Sequence, residues 1–342
     1  MRRVSLEYLE PGMKIGRTIY SSDGRPLLVA GMVLNSNYIQ RLIDHGVGSV
    51  FIKDDLFDEI EEPPDLISEQ TRLESVRTVK ELFNCLENKK RINIQGVKKT
   101  VSNLIDEVLS NREILVNFAD IRNYDDYTFS HSVQVCVLSI ITGISLGLDQ
   151  IKLKDLATGA LIHDIGKTRV DKDILNKPGD LTPEEFAEIK RHAEHGFEIL
   201  RANQDISLLS AHIAYQHHER WDGNGYPRGL REQEIHLYSR IVAVADVFDA
   251  LVADRPYRKA YSTNQAVSLM RRMAGSQFEP GILESFLANV AEFPIGTVVA
   301  LSTGEIGVVV DTNREKPILP VVRVLFNKRL KPLSVVKEID LT

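Results

Sequence analysis

The sequence has little that would place it outside the cell. Only Cys85 and Cys136 among its 342 residues are cysteines, and neither belongs to a CxxC pair. That scarcity indicates free thiols in a reducing compartment, not a disulfide framework. The arginines close to the N-terminus have no apolar run behind them, so no signal peptide is predicted. We therefore expect a cytoplasmic protein.

Long apolar runs are also missing. The most apolar stretch, residues 133–148, is only 16 residues long and is interrupted by polar residues and glycines. It predicts a core helix and no membrane span. The formal net charge of −6 argues against binding to a nucleic-acid polymer. A small anionic ligand would need only a local patch of positive charge.

Composition divides the chain into four parts without repeats or low-complexity tracts. The predicted class is mainly α, with a helical body between two smaller regions that contain strands. The predicted parts are a small α+β module (1–60), an acidic linker and helical connector (61–118), a helical domain (119–290) and a β-rich extension (291–342).

Local patterns predict individual elements. In the first part we expect a hairpin over Leu27–Leu34, a helix over Asn37–His45 and a strand over Ser49–Lys53. Thr182 followed by Pro183 and two glutamates predicts a helix start. The tail predicts strands over Val298–Leu301, Gly307–Asp311 and Pro320–Phe326.

The connector carries apolar residues at helical spacing over residues 66–112. This stripe predicts either a packed helix or a homodimer surface, and both alternatives stay open. Its members are Leu73, Val76, Val79, Leu82, Phe83 and Leu86.

Asp246 is the first residue whose position indicates a functional site. It lies in the run Ile241–Leu251, which is apolar on nearly every side and predicts a buried helix. An unpaired buried carboxylate costs several kcal/mol or becomes protonated. A bound metal ion is the natural cationic partner for it.

Several histidines and one further aspartate are also candidate metal ligands and could form a cluster with Asp246. His163 and Asp164 sit in an apolar segment that predicts a helix, and His192 lies on the helix expected to begin near Thr182. On a helix the side chains of adjacent His217 and His218 would point about 100° apart, so they could reach a metal cluster in two directions. Imidazoles and carboxylates suit divalent zinc, manganese or iron, and two such ions can bind and activate a bridging water. The cluster is completed by His131.

The order of these motifs resembles the HD-GYP family, the cyclic di-GMP phosphodiesterases of the HD superfamily. The two signatures are HDIGK at 163–167 and HHERWDGNGYP at 217–227. The resemblance covers roughly residues 119–290. More weakly, the first 60 residues resemble a module found before some HD-GYP domains, and the tail resembles the β extension that often closes them. Further matching segments are YTFSHS (127–132), KPGDLT (177–182), ADVFDAL (245–251), RPYR (255–258) and FEP (278–280).

The resemblance implies an all-helical metal phosphohydrolase domain and a site. Asp164 and Lys167 would be catalytic, with Lys167 also facing the scissile phosphate. Tyr226, Arg255 and Arg258 match positions that contact the ligand's phosphates. The implied reaction opens cyclic di-GMP to linear pGpG, and sometimes on to GMP, through a hydroxide that bridges two iron or manganese ions. The implied metal ligands are His131, His163, Asp164, His192, His217, His218 and Asp246.

One position departs from the family pattern. Some members carry a glutamate four residues before the first histidine and hold three metals, whereas this chain has Tyr127 there. Tyrosine is a poor replacement ligand, so we expect two metals. His195, three residues after His192, is the weaker candidate for the same role. Asp249 is either a supporting hydrogen-bond partner or a helix-face residue.

Two other functions stay open at this stage. A catalytically silent receptor would bind cyclic di-GMP and act through protein partners. An HD-type hydrolase could instead act on another cyclic dinucleotide, because metals and arginines read phosphates and not bases. The intact ligand set favours the enzyme over the receptor.

Overall fold

The computed structural model describes residues 1–20, 25–45, 47, 49–53, 65–88, 92–116, 127–177, 179–253 and 260–342. The chain divides into two compact units. One comprises Met1–Asp65, Glu113–Tyr127 and Ala288–Thr342, and the other comprises Leu66–Arg112 and Thr128–Leu287. The described part is mainly helical, as predicted. The predicted domain boundaries remain predictions.

The first unit begins with small antiparallel sheets. Strand β5 (Ser49–Lys53) lies between β1 (Arg2–Ser5) and β2 (Lys14–Ile15), while β3 (Ile19–Tyr20) pairs with β4 (Pro26–Leu28). Helix α1 follows at Ser36–Asp44, with Asn35 accepting a hydrogen bond from the Tyr38 amide. The predicted helix and the predicted strand Ser49–Lys53 are confirmed.

The predicted hairpin over Leu27–Leu34 is wrong. Its first arm pairs with β3, where Leu28 lies opposite Ile19. Its second arm turns back to β2, since the Ile15 amide donates to the Met32 carbonyl at 2.8 Å. The two arms have the right pattern for strands, but each finds its partner earlier in the chain.

The same unit ends in a four-stranded antiparallel sheet. Its strands follow chain order: β6 (Val298–Ala300), β7 (Ile306–Asp311), β8 (Val321–Phe326) and β9 (Pro332–Asp340). Alternation along β8 buries Val322 and Val324 completely, whereas β7 buries Val308 and Val309 in succession. The three predicted strands are confirmed, and β9 is an additional strand that the sequence analysis did not identify.

The second unit is helical. Helix α9 packs against α5, α8 and α10, and α3 packs against α2 and α5. A 3-10 turn at Ile165–Arg169 lies against α8. The helices are α2 (Glu69–Glu87), α3 (Ile94–Ser110), α4 (Tyr127–Ser145), α5 (Gln150–Leu161), α6 (Lys172–Leu175), α7 (Pro183–Lys190), α8 (His192–Arg201), α9 (Leu208–Gln216), α10 (Leu237–Val252), α11 (Thr263–Arg272) and α12 (Pro280–Leu287).

Helix α7 starts as its sequence predicts. Thr182 caps it by accepting a hydrogen bond from the Glu185 amide at 3.2 Å. The Glu185 carboxylate returns the bond by accepting from the Thr182 amide at 2.8 Å. This reciprocal box satisfies two amides that would otherwise have no partner within the helix.

Most of the connector stripe is buried within the chain. Val76, Val79, Leu82 and Phe83 are at most 7% exposed. Phe83 packs edge-on against Phe129 of α4 with ring centroids 5.4 Å apart. Of the two interpretations of the stripe, the packed helix is therefore the one that the contacts support.

Helix α4 runs through the core. Its segment Thr128–Ser145 is long and apolar enough to cross a membrane, but 72% of it is buried inside the structure, as expected of a core helix. The thiol of Cys136 lies within this helix and donates a hydrogen bond to the Ala157 carbonyl at 3.3 Å. Burial raises the pKa of this thiol far above its ordinary value.

Candidate metal centre

Five of the seven candidate ligands lie where helices begin or end, whereas His131 and Asp246 lie within α4 and α10. His163 and Asp164 follow α5, which ends at Leu161, and His192 is the first residue of α8. His217 and His218 follow the last residue of α9. Side chains at helix ends can approach one another from several elements, which side chains on one continuous helix cannot do.

Three local predictions about these residues are wrong. His163 and Asp164 do not lie inside a helix, because α5 ends at Leu161 and the backbone of Ile162 leaves helical geometry, with its amide donating to the Gly159 carbonyl. The helix that starts at Pro183 ends at Lys190, so His192 begins a new one. His217 and His218 form the turn after α9 and are not paired on a helix.

Gly166 lets the HDIGK turn reach α8. A Cβ atom at this position would lie 1.9 Å from the His192 carbonyl oxygen and 2.4 Å from the Gly196 amide nitrogen. Only a residue without a side chain permits this approach. The close contact fixes the spacing between Asp164 and His192 through the backbone.

Three imidazoles are oriented by backbone carbonyls. In each ring Nδ1 lies within hydrogen-bond distance of a carbonyl in the preceding turn, so Nδ1 carries the proton and Nε2 presents a lone pair. The pairs are His163 with Ala160 at 2.7 Å, His192 with Ile189 at 2.7 Å, and His217 with Ala214 at 3.0 Å.

Asp164 lies at the point where these Nε2 atoms converge. Its carboxylate oxygens are 3.6 Å from His163 Nε2, 3.5 Å from His192 Nε2 and 3.9 Å from His217 Nε2. The Nε2 atoms of His192 and His217 are 3.3 Å apart. A donor atom of His218 also falls in this group, whose members lie within 4.8 Å of one another.

A second group shares Asp164 and is supported by side chains. His131, His163 and Asp164 form it with donor atoms within 4.8 Å of one another. His131 Nε2 lies 3.1 Å from the Asp246 carboxylate, and its Nδ1 lies 2.7 Å from Asp249 Oδ2. Asp249 thus orients His131 as the backbone carbonyls orient the other rings.

Burial sets the protonation of the rings. It lowers the pKa of His163, His192 and His217, and brings the pKa of His218 to about 3. His131 differs: burial would lower its pKa, but hydrogen bonds with Asp246 and Asp249 raise it to about 9. Most of the imidazoles are therefore neutral at pH 7, which is the form that binds a metal.

The carboxylates are charged. Burial would raise the pKa of Asp164, but the Lys167 ammonium, which pairs with this carboxylate, and the nearby histidines hold it well below the ordinary value. Burial opposes ionisation of Asp246 in the same way, and the hydrogen bond with His131 overcomes it and lowers the pKa.

The donor set fits divalent metal ions. His163 Nε2 and Asp164 Oδ1 are buried without a hydrogen-bond partner. Polar atoms left in this state are costly unless something binds them, and both point into the histidine cluster. Neutral imidazoles with carboxylates and no thiolate are typical of zinc, manganese or iron sites.

A cavity of about 280 Å³ opens beside the cluster. The Tyr226 ring, which lines it, stacks on the His218 ring with centroids 4.7 Å apart. Gly225 is required there because a Cβ would lie 2.4 Å from the Arg220 amide nitrogen. Buried Glu219 fixes the following loop by accepting from the amides of Arg228 at 2.8 Å and Leu230 at 3.0 Å.

Not every predicted residue can be compared with the structure. Arg255 and Arg258 lie outside the described residues, as does the side chain of Tyr127. The other predicted site residues all line or adjoin the centre. Sequence reasoning missed Glu219, whose position inside a family motif was its only signal, and the cavity residues Phe186 and Lys190, which carry no motif.

Two family models match the chain. Residues 121–282 match the HD domain, and residues 298–342 match the KOW domain associated with HD domain. The solved structure of Bd1817, an HD-GYP-type protein from Bdellovibrio bacteriovorus, covers 83% of the chain with a TM-score of 0.55 at 22% identity. Since 97% of that protein is covered, the likeness extends over its whole fold.

Curated relatives are more similar in sequence. The cyclic di-GMP phosphodiesterase PA4108 of Pseudomonas aeruginosa is 38% identical over 234 residues, which are 67% of this chain and 56% of that protein. A cyclic di-GMP phosphodiesterase of Thermotoga maritima is 43% identical over 176 residues, 51% of this chain and 47% of that protein. The chain therefore spans about half the length of these relatives. The 3'3'-cGAMP-specific phosphodiesterase 2 of Vibrio cholerae is 32% identical over 203 residues, 59% of this chain and 39% of that protein.

Proposed function

Since the chain belongs to the HD-GYP family of HD-domain proteins, we propose that it is a metal-dependent phosphodiesterase that opens cyclic di-GMP to linear pGpG; whether the product is cut on to GMP is decided by the assay below. One observation carries the proposal: neutral Nε2 atoms converge on the buried Asp164 carboxylate beside the cavity that Tyr226 lines. The names of the relatives from Pseudomonas and Thermotoga support the substrate.

We assign the metal ligands to the two groups that share Asp164. One ion would be held on the side of His192, His217 and His218, and the other on the side of His131, His163 and Asp246. Iron or manganese suits this oxygen and nitrogen set. When bound, such ions lower the pKa of water and neutralise charge on phosphoryl oxygens.

The protein side chains position the substrate. Lys167 lies against Asp164, so its ammonium is in place to neutralise charge that develops on the scissile phosphate. Tyr226 borders the cavity and presents its hydroxyl with a pKa that burial raises, so it donates a hydrogen bond and stays neutral. Arg255 and Arg258 would bind the second phosphate, bidentately where geometry allows.

Cyclic GMP-AMP is a second candidate substrate. The names of relatives from Vibrio cholerae at 32% and 40% identity favour it. Metal ions and cationic side chains contact phosphates, which both cyclic dinucleotides share. The two substrates must be compared in one assay.

We also propose a cytoplasmic location and a homodimer. Cys85 and Cys136 are both free, as expected for a reducing compartment. Since the apolar stripe of α2 is buried inside the chain, a dimer through the connector would use the outer faces of α2 and α3.

The test combines metal analysis with turnover. The protein is purified without oxygen, its iron, manganese and zinc are counted, and the same sample is assayed with both cyclic dinucleotides. We expect about two ions per chain and release of pGpG or GMP. Metal-loaded protein that binds cyclic di-GMP without turnover would contradict the enzyme and support the receptor.

Single substitutions tie activity to the centre. We expect Asp164→Ala and His192→Ala to lose metal and to lower kcat/KM by at least about two orders of magnitude. His195→Ala is the matched control, because His195 lies on the same helix but outside both groups of ligand atoms. Full activity in folded Asp164→Ala would refute the assignment.

A further inference from the structure

Beyond the metal centre, we propose that Phe186 and Lys190 form a second substrate subsite, in which Lys190 adds a cationic contact to the phosphate that is not being cleaved, besides the two arginines assigned to it above, and Phe186 stacks on a guanine base. This inference rests on the proposed function. It adds two binding residues that carry no family motif.

The Tyr226 ring lies between Lys190 and the metal centre. The Lys190 ammonium lies 5.2 Å from the centroid of the Tyr226 ring, which itself stacks on His218. It lines the same cavity as His217 and His218. Among the residues that the structure describes, no carboxylate is paired with it. An ammonium in this position attracts a second anionic group of a ligand that is bound at the metals.

Phe186 completes the subsite. It lies one helical turn before Lys190 on α7, and the Lys190 ammonium is 4.6 Å from its ring centroid. Phe186 lines the cavity although 46% of it is exposed to solvent. A half-exposed phenyl ring in the wall of a polar cavity offers a face for base stacking.

The chemistry of the substrate requires such a place. A cyclic dinucleotide has two phosphodiesters and two bases, but the metal centre can act on only one phosphodiester at a time. The second phosphate and at least one base must therefore contact protein outside the centre. His218, Tyr226, Lys190 and Phe186 all line one cavity, so a ligand that is held at the centre and fills this cavity would contact Lys190 and Phe186.

Lys190 also has an ordinary structural role. It lies in the last turn of α7, where a positive charge complements the helix dipole. That role would affect the stability of the protein and would leave the KM for one particular substrate unchanged. The two roles can therefore be separated by kinetics.

The experiment uses Lys190→Met and Phe186→Ala in the metal-loaded protein. Lys190→Met keeps the aliphatic stem and removes the charge. Matched controls are Lys154→Met and Leu208→Ala, which alter exposed residues outside the cavity. Each protein is assayed with cyclic di-GMP and with methyl p-nitrophenyl phosphate, a diester with one phosphate and no purine.

We expect KM for cyclic di-GMP to rise about tenfold in each variant with kcat nearly unchanged. The salt dependence of KM should become shallower in Lys190→Met. Metal content and turnover of the simple diester should match wild type. Unchanged KM in both variants, or equal losses on both substrates, would overturn the inference while leaving the phosphodiesterase intact.

Equilibrium binding separates the two proposals if wild type does not turn over cyclic di-GMP. Weaker binding of cyclic di-GMP by both variants than by wild type and controls would support the subsite even though the enzymatic function had failed. Equal binding by all of these proteins, or no binding by wild type, would overturn the subsite as well.

Discussion

The histidines of the centre are held in two different ways. His163, His192 and His217 direct Nδ1 to carbonyls of their own helical turns. His131 instead directs Nδ1 to the Asp249 carboxylate. In the first half the orientation follows from backbone geometry at helix ends. In the second half it depends on a buried charge, which also makes the ring more basic.

The two halves are therefore vulnerable at different points. No side-chain substitution can remove the carbonyls that orient the rings of the first half, so these rings are reoriented only when the backbone shifts. The second half can be altered by changing one carboxylate. Gly166→Ala and Asp249→Asn test this contrast, and Glu107→Gln, which lies in neither half, should change the protein least.

Gly166→Ala should disturb the carbonyl-supported half most. The added methyl group would meet the His192 carbonyl at 1.9 Å, so the HDIGK turn and α8 must separate. We expect a loss of about 3 kcal/mol or more of unfolding free energy, with loss of metal. Denaturant unfolding and metal analysis measure both.

Gly281→Ala is the control for that substitution. A Cβ there would meet nothing within 4 Å, and the residue lies in α12. Its stability should change by less than about 1 kcal/mol, with a gain from helix propensity. A fully stable, metal-loaded Gly166→Ala protein would show that the close backbone contact is not required.

Asp249→Asn should weaken the other half without unfolding the protein. The amide oxygen can still accept from His131, but the negative charge is lost. We expect metal affinity to fall about 10–100-fold at the site that contains His131. Competition with a chelator should therefore remove one ion before the other. Simultaneous loss of both ions would contradict the assignment of separate ion sites on the His131 side and on the His192 side.

Glu107→Gln should have the smallest effect. Glu107 accepts from the Ser68 amide at 2.6 Å at the start of α2, and it lies in neither group of metal-ligand atoms. Burial would raise its pKa, but hydrogen bonds from Thr71 and Ser68 lower it below 4.5. Because this carboxylate is largely solvated, we expect a loss of less than about 1 kcal/mol and unchanged metal content.

The pH dependence of that loss has a definite sign. A lowered folded-state pKa means that the carboxylate stabilises the protein above pH 4.5, and that this contribution disappears as pH falls through the lowered value. The difference in unfolding free energy between wild type and Glu107→Gln should therefore shrink on acidification. A difference that grows at low pH would contradict the assigned interaction.

Sequence patterns predicted elements best where the deciding contacts are local. The Thr182 capping box is the example, since its two partners, Thr182 and Glu185, are only three residues apart. The hairpin over Leu27–Leu34 failed because its arms pair with earlier segments. The helix predicted through His163 failed because α5 ends at Leu161 with a non-helical Ile162, which apolar spacing does not reveal.

The functional site could likewise be predicted where residue types and their order decide it, and could not be predicted where only the fold decides it. The residue types and their order pointed to His131, His163 and Asp164 as neighbours, and the structure brings them together. The role of Asp249 could not be settled from sequence, because it depends on α4 and α10 packing so that His131 Nδ1 lies 2.7 Å from Asp249 Oδ2. Phe186 and Lys190 were missed for the same reason: only the fold places α7 beside Tyr226.

The buried thiol of Cys136 has a practical consequence for spectroscopy. Because the Cys136 thiol is buried and stays protonated, it reacts slowly with maleimides, for which the thiolate is the nucleophile. Cys85 is the one other cysteine in the sequence, and it lies part-exposed on α2. A fluorophore or spin label should therefore attach to the connector of the native protein without any engineered cysteine, and it would report there on movements of α2 when ligand binds.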